Sequence, residues 1–357
     1  MDAKITKLRL SRMLSYDWFK MILSAAALIV IWLLVFTMTA TSIAPSQKFT
    51  VMNYVGNVSL QDGEFYAMNE SAHKNGVFSY EVIENSVEDL SLNASMAGEL
   101  LQARTAVEEG DVIFVADYYD SREIMTKESV DENGKKQYEY TFGDTYLQSF
   151  LQGAFYQLYD VNEYLEDMRA FVAQYYEGGD YVSPSALNEQ KIKNDFNART
   201  KKDKRFKKSS ARAQAEKDEV ERIQKYRDAL VKFEWYLKEC VVSITETLIV
   251  EEYFTDGRDL KGTFSINLCP TLDKGGMEVD GKPAMSKLLN SFAYKTFTYD
   301  DDGKLAYGDA TANNMNVCLF KFGGVGSGFQ YESLSYIVYL IEEYVHADMR
   351  CPEYIYA

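Results

Sequence analysis

Two histidines, His73 and His346, and four cysteines, Cys240, Cys269, Cys318 and Cys351, are the side chains of this 357-residue chain best suited to nucleophilic or metal chemistry. A structural zinc site needs four N or S ligands, usually in closely spaced pairs. Here no CxxC pair exists and the histidines lie far apart, so no metal is expected. Outside a cell the cysteines could form disulfides, but their spacing assigns no pairing, and small buried thiols are the simpler reading. Neither histidine has a serine or cysteine partner nearby in sequence, although pairing in space stays open. The GxSxG, HExxH, P-loop and kinase signatures are absent. A glycosidase-type carboxylate pair could come from distant loops among the 54 acidic residues, and nothing selects one. The expectation is a non-enzyme without a cofactor, with a hydrolase of surface polymer as the open alternative.

Two loops invite a ligand reading and support it weakly. Gly323–Gly328 lies between an expected strand and helix, where backbone N–H groups can face an anion, yet no Lys follows to make a phosphate loop and no βαβ unit surrounds it. Asp300-Asp301-Asp302-Gly303 is acidic but lacks the spacing and distal Glu of a calcium loop. Tyrosine is abundant, 27 residues. Most must serve packing, but each also offers a flat face with a polar tip of the kind that sugar and peptide sites use.

Elements that could position such residues follow from periodicity. Lys48–Tyr54 (KFTVMNY), Gly76–Ile83 (GVFSYEVI) and Asp111–Ala116 (DVIFVA) are expected strands, the last a central parallel strand covered on both faces. Ala94–Val107 has one apolar helical face. Thr145–Phe155 and Val161–Tyr176 are helical by period, with Asp160 placed to cap the second. Hairpins are expected over Ser121–Tyr140, Val241–Leu268 and Phe292–Tyr307, a helix over Glu219–Cys240, then a strand at Asn316–Phe322 and a helix at Tyr331–Val345. Strand, connection, strand, helix, strand argues for an open α/β sheet.

Residues 189–217 differ from the rest. Eleven Lys/Arg face four Asp/Glu there, in a chain whose formal net charge is -16. This segment is an exposed helical or flexible excursion, or a docking surface for an acidic partner or anionic lipid.

From Met21 to Gln47 no residue is charged, and Met21–Thr41 is long enough to cross a hydrocarbon core of roughly 30 Å. Lys4, Lys7, Arg9, Arg12 and Lys20 precede it, which places the N-terminus in the cytoplasm. The competing reading is a cleaved signal peptide. The apolar run exceeds a usual h-region, and Ser42-Ile43-Ala44 is followed by Pro45, which disfavours cleavage. The expected organisation is a basic tail over 1–20, one transmembrane helix over 21–42 and an acidic extracellular domain over 43–357. Such an acidic surface repels nucleic acid and anionic lipid headgroups, so neither is expected as a partner of the domain as a whole.

Four pieces in order carry a family resemblance: KFTVMNY, GVFSYEVIEN, ELLQARTAVEEGDVIFVAD and YLQSFLQGAFYQLYDVNEYLED. Together they make Lys48–Glu166 resemble the N-terminal lobe of an extracellular solute-binding protein of the type 2 periplasmic-binding fold, the kind that serves sugar ABC transporters. The later half has few helices, so a second lobe that is reduced and hairpin-rich is expected. The resemblance implies a periplasmic-binding-protein-like α/β domain that binds a small-molecule or oligosaccharide ligand and works with ABC permease subunits in the cell membrane. Ligands of open α/β sheets sit beyond the carboxyl ends of the strands. The residues there would be Asn53, Tyr54, Asp117, Tyr118 and Tyr119, with Gln330 and Tyr331 added by the later loop. The alternative is a scaffold that retains the fold and docks partners through 189–217.

Overall fold

The computed structural model describes residues 7–39, 47–54, 58–59, 64–90, 96–116, 123–130, 136–142, 146–249, 260–268, 278–279, 282–283, 295–299, 305–307, 315–322, 330–345 and 350–356. The chain divides into two units, Met1–Ala44 and Pro45–Ala357.

The described residues of the first unit form one helix, α1 (Lys7–Thr39), of 33 residues. Its described side chains from Ile22 to Leu33 are exposed and almost all apolar. Among the described residues no helix is long and apolar enough to cross a membrane.

The second unit runs β1 (Lys48–Tyr54), β2 (Val58–Ser59), α2 (Glu64–Lys74), β3 (Glu84–Asp89), α3 (Ala97–Ala106), β4 (Val112–Ala116), β5 (Glu123–Val130), β6 (Lys136–Phe142), α4 (Tyr146–Ala154), α5 (Val161–Ala173), α6 (Glu189–Arg199) and α7 (Ser209–Lys238). It continues through β7 (Ser243–Ile249), β8 (Leu260–Asn267), β9 (Glu278–Val279), β10 (Lys282–Pro283), β11 (Lys295–Tyr299), β12 (Leu305–Tyr307), β13 (Met315–Leu319), α8 (Glu332–Leu340), a π-helical turn Ile341–Val345, and α9 (Glu353–Tyr356).

The expected α/β architecture is present as a mixed six-stranded sheet, ordered β3-β1-β4-β13-β8-β7. β1 pairs parallel with both β3 and β4, while β13 runs antiparallel to β4 and to β8, and β7 antiparallel to β8. Val112 to Val115 are fully buried, because both faces of β4 are covered. One face packs Phe49, Val51 and Phe114 with Leu165 of α5, Tyr226 and Phe233 of α7 and Ile337 of α8. The other packs Met52, Ile113 and Val115 against Leu101 of α3 and Leu147, Phe150 and Leu151 of α4. Each such fully buried side chain contributes about 1.5–3 kcal/mol of transfer free energy.

One strand lies elsewhere than expected. The strand is β3, the polar ENSVED, and Gly76–Ile83 is a turn-rich passage. Phe78 explains why that passage is apolar: its ring meets Phe49 at 4.6 Å and stacks on Tyr336 at 5.9 Å. β3 is polar because it is the outer strand of the sheet among the described residues.

The other elements agree with their periodicity. The hairpins β5–β6, β7–β8 and β11–β12 pair antiparallel. Asp160 caps α5, accepting from the N–H groups of Asn162 and Glu163 at 3.0 and 3.3 Å. The acidic turn Asp300–Gly303, the glycine run Gly323–Gly328 and His346 lie outside the described residues. The basic segment takes the helical alternative: α6 and the start of α7 enclose a small core of Phe196, Phe206 and Ala215, with Tyr80 against it.

At Gly110 the backbone needs φ +130, and a Cβ there would stand 2.9 Å from the ring of Phe320. Glycine thus lets the chain enter β4 directly against β13.

Candidate functional site

β1 is the strand at which the chain changes side: from β1 it goes to β3 on one flank, then returns to β4 on the other. In open α/β sheets the crevice at the carboxyl ends of such strands is the usual ligand position. β1 ends there with Asn53 and Tyr54, β3 with Asp89 and β4 with Ala116. The antiparallel β13 begins beside them, Met315 opposite Ala116 and Asn316 opposite Val115.

Asn53 is fully buried, and its Nδ2 donates to Asp89 Oδ1 at 3.0 Å. Its Oδ1 has no partner among the described residues. A buried amide oxygen without a donor costs about 1–3 kcal/mol, so the position favours an incoming hydroxyl or N–H. Alternation turns Tyr54 to the opposite face, where its half-buried ring lies 6.1 Å from Phe150. Burial pushes the Tyr54 hydroxyl up from its ordinary value, so it stays neutral, able to donate and to accept.

The antiparallel half of the same edge carries polar side chains on the face of Tyr54. Asn316 is fully buried, pairs in register with Asn267, and accepts from Thr245 Oγ1 at 3.2 Å. Ser265 is fully buried too, and its hydroxyl has no partner among the described residues. Sequence reasoning missed Thr245, Ser265, Asn267 and Asn316. The available signal was an amide or hydroxyl interrupting an otherwise apolar strand, as in FSIN and MNVCL.

Asp117, Tyr118 and Tyr119 lie outside the described residues. Gln330 offers its backbone carbonyl to the Tyr164 hydroxyl at 2.7 Å. Tyr331 is buried at the start of α8, ringed by Phe171, Tyr226 and Tyr164 at 4.9, 5.7 and 5.8 Å. The structure therefore brings Asn53 and Tyr54 to the switch-point edge and seats Tyr331 in an enclosed aromatic cluster.

Buried charges occur elsewhere, in hydrogen-bonded networks. Glu332 accepts from the Ser79 N–H at 3.1 Å and the Tyr226 hydroxyl at 2.8 Å, and burial holds its carboxyl above the ordinary value. Glu219 binds Arg222 at 2.6 Å, Arg199 at 3.1 Å and the Tyr80 hydroxyl at 2.9 Å. Burial raises the Glu219 carboxyl, but these partners outweigh it and hold it below the ordinary value. Such groups knit α6, α7 and α8 to the passage before β3.

A shallow groove of about 460 Å³ lies along the outer strand, lined by Tyr66, Glu70, His73, Ile83 and Glu84 among others. It borders the amino half of β3, away from Asn53. Among the described residues no cluster of three or more His, Cys, Asp or Glu side chains is arranged to hold a metal ion. The described cysteines are free; Cys318 and Cys351 are buried and Cys240 is exposed. The described carboxyl edge offers amides and hydroxyls around one carboxylate, equipment for holding a polar ligand by hydrogen bonds. Comparison with protein families, with curated proteins and with solved structures finds no match for this chain.

Proposed function

We propose that this chain is a membrane-tethered extracellular solute-binding protein, with a carbohydrate ligand and an ABC permease as partner. The observation that carries the proposal is Asn53: a fully buried amide whose oxygen has no partner among the described residues, at the carboxyl end of the strand where the chain changes side. Polyhydroxylated ligands supply the donors such an amide lacks, and Tyr54 adds an aromatic face. The likeness of Lys48–Glu166 to the first lobe of the type 2 periplasmic-binding fold points the same way.

The anchor rests on sequence and helical continuity. Met21–Thr41 carries no charge, and its residues as far as Thr39 lie in the unbroken helix α1. The side chains described from Ile22 to Leu33 are too short a stretch to cross about 30 Å alone, but the uncharged sequence runs on beyond them. Protease added to intact cells should degrade the acidic domain; complete protection would overturn the topology.

Thermal-shift screening of the full chain in detergent against oligosaccharides tests binding. At least one sugar should raise the melting temperature, and Asn53→Ala should weaken that ligand about tenfold or more while leaving the ligand-free chain folded. No shift from sugars, peptides or amino acids, with a folded sample, would reject the solute-binding reading.

A scaffold that docks partners through 189–217 is the second reading. It is favoured by the basic character of that segment, eleven Lys/Arg against four Asp/Glu.

A further inference from the structure

The basic residues of 189–217 divide into two populations. The arginines are spent internally. Arg199 binds Glu219 at 3.1 Å, and Arg205 binds Asp203 at 2.8 Å and Glu81 at 3.1 Å. Arg212 bonds the Asn197 side chain at 2.6 Å and the Phe206 carbonyl at 3.2 Å. The lysines between the helices are not. Lys201, Lys202, Lys204, Lys207 and Lys208 are all exposed, and none of their ammonium groups has an ion pair or hydrogen bond among the described residues.

These lysines stand on a firm support. Phe206 is buried against Phe196, ring centroids 5.3 Å apart. The Thr200 hydroxyl donates to the Phe196 carbonyl at 2.8 Å, and Asp203 accepts from the Arg205 N–H at 2.9 Å. Five like charges are therefore held close together by packing and by the arginine pairs.

We infer that the connection between α6 and α7 is a docking surface for an anionic lipid bilayer. A protein interface draws its strength from buried aromatic residues and arginine, and is depleted in lysine. From Arg199 to Ser210 the only aromatic or large aliphatic side chain is Phe206, and it is buried. Strongly hydrated lysine ammonium groups without apolar neighbours suit a field of headgroup phosphates, which asks for charge and not for shape. The acidic remainder of the domain does not forbid this, because charges more than a Debye length of about 10 Å away are largely screened. The inference rests on the membrane-anchored reading above, since a tether keeps the patch at high effective concentration near lipid.

The test uses the full chain in nanodiscs of phosphatidylcholine alone and with about 30 mol% phosphatidylglycerol, reading lysine acetylation rates by mass spectrometry. In anionic discs the five lysines should be acetylated about threefold or more slowly, with recovery at ~0.5 M salt, while exposed Lys238 is unchanged. Equal rates in the two discs would overturn the inference. A chain that does not enter discs would reject the anchor, and the same readout with anionic vesicles then decides the patch alone: protection supports it, its absence overturns it. Protection by polyglutamate without protection by anionic lipid would reassign the surface to an acidic protein.

Discussion

Asp111 and Thr50 clasp the amino ends of the neighbouring strands β1 and β4: the Thr50 N–H donates to Asp111 Oδ2 at 2.7 Å, and the Asp111 N–H donates to the Thr50 carbonyl at 2.9 Å. Burial pushes the Asp111 carboxyl up from an ordinary 3.8 to about 7, against the pull of the Thr50 N–H, and the charge of Glu332 adds to the rise. A carboxyl raised in the folded state holds its proton more tightly than in the unfolded chain. Its contribution is complete below the unfolded value and is lost as pH climbs toward 7. Asp111→Asn should therefore gain stability relative to the wild type between pH 4 and pH 8, on the order of 2–4 kcal/mol. Urea melts of both proteins across that range measure the difference, and parallel curves would contradict it.

Arg227 is buried in α7, and its guanidinium bonds three backbone carbonyls: Tyr181 at 2.8 Å, Val182, and Tyr356 in the last helix. Arg227→Met should leave those carbonyls without a donor and lower stability by about 3 kcal/mol. Lysine offers its three donors from one nitrogen and lacks the planar guanidinium fork, so Arg227→Lys should recover only part of the loss. Hydrogen exchange should show faster opening of Glu353–Tyr356 in both variants.

Asp160 joins two elements. Besides capping α5, it accepts from the Thr263 N–H at 2.8 Å and the Thr263 hydroxyl at 2.7 Å, tying the helix start to β8. Partial burial raises its carboxyl, but these hydrogen bonds prevail and hold it below the ordinary value. Its stabilisation is thus present at neutral pH and lost as pH falls through that depressed value. Asp160→Ala should cost about 2 kcal/mol at pH 7, and the gap from wild type should narrow in strong acid. A gap that holds constant down to pH 2 would contradict the cap's role.

Elements whose apolar pattern is produced by their own burial were legible in the sequence. β4 is apolar because it is covered on both faces, and α5 shows Val161, Leu165, Met168 and Val172 on its buried side. β3 was not legible, since an outer strand has little burial to write into its sequence; the apolar GVFSYEVI beside it serves as a core plug through Phe78. α2 escaped notice because only Met68, Asn69 and Ala72 of its described residues are deeply buried. The place of Asn53 and Tyr54 at the carboxyl edge was legible because they end the first strand. Asn316 and Asn267 were not, because their place at the same edge depends on β13 running antiparallel to β4 and β8, which local pattern does not encode.

That late return of β13 has a consequence for biosynthesis. The inner edge of β4, the most apolar strand of the sheet, is hydrogen-bonded by Met315–Leu319. About two hundred residues separate the two strands, so at roughly 5–20 residues per second the ribosome leaves that edge open for some 10–40 seconds. Throughout that interval the nascent sheet is a template for unwanted strand pairing. Holding factors that shield β4 until Met315–Leu319 emerges would decide how much of this protein reaches its native state.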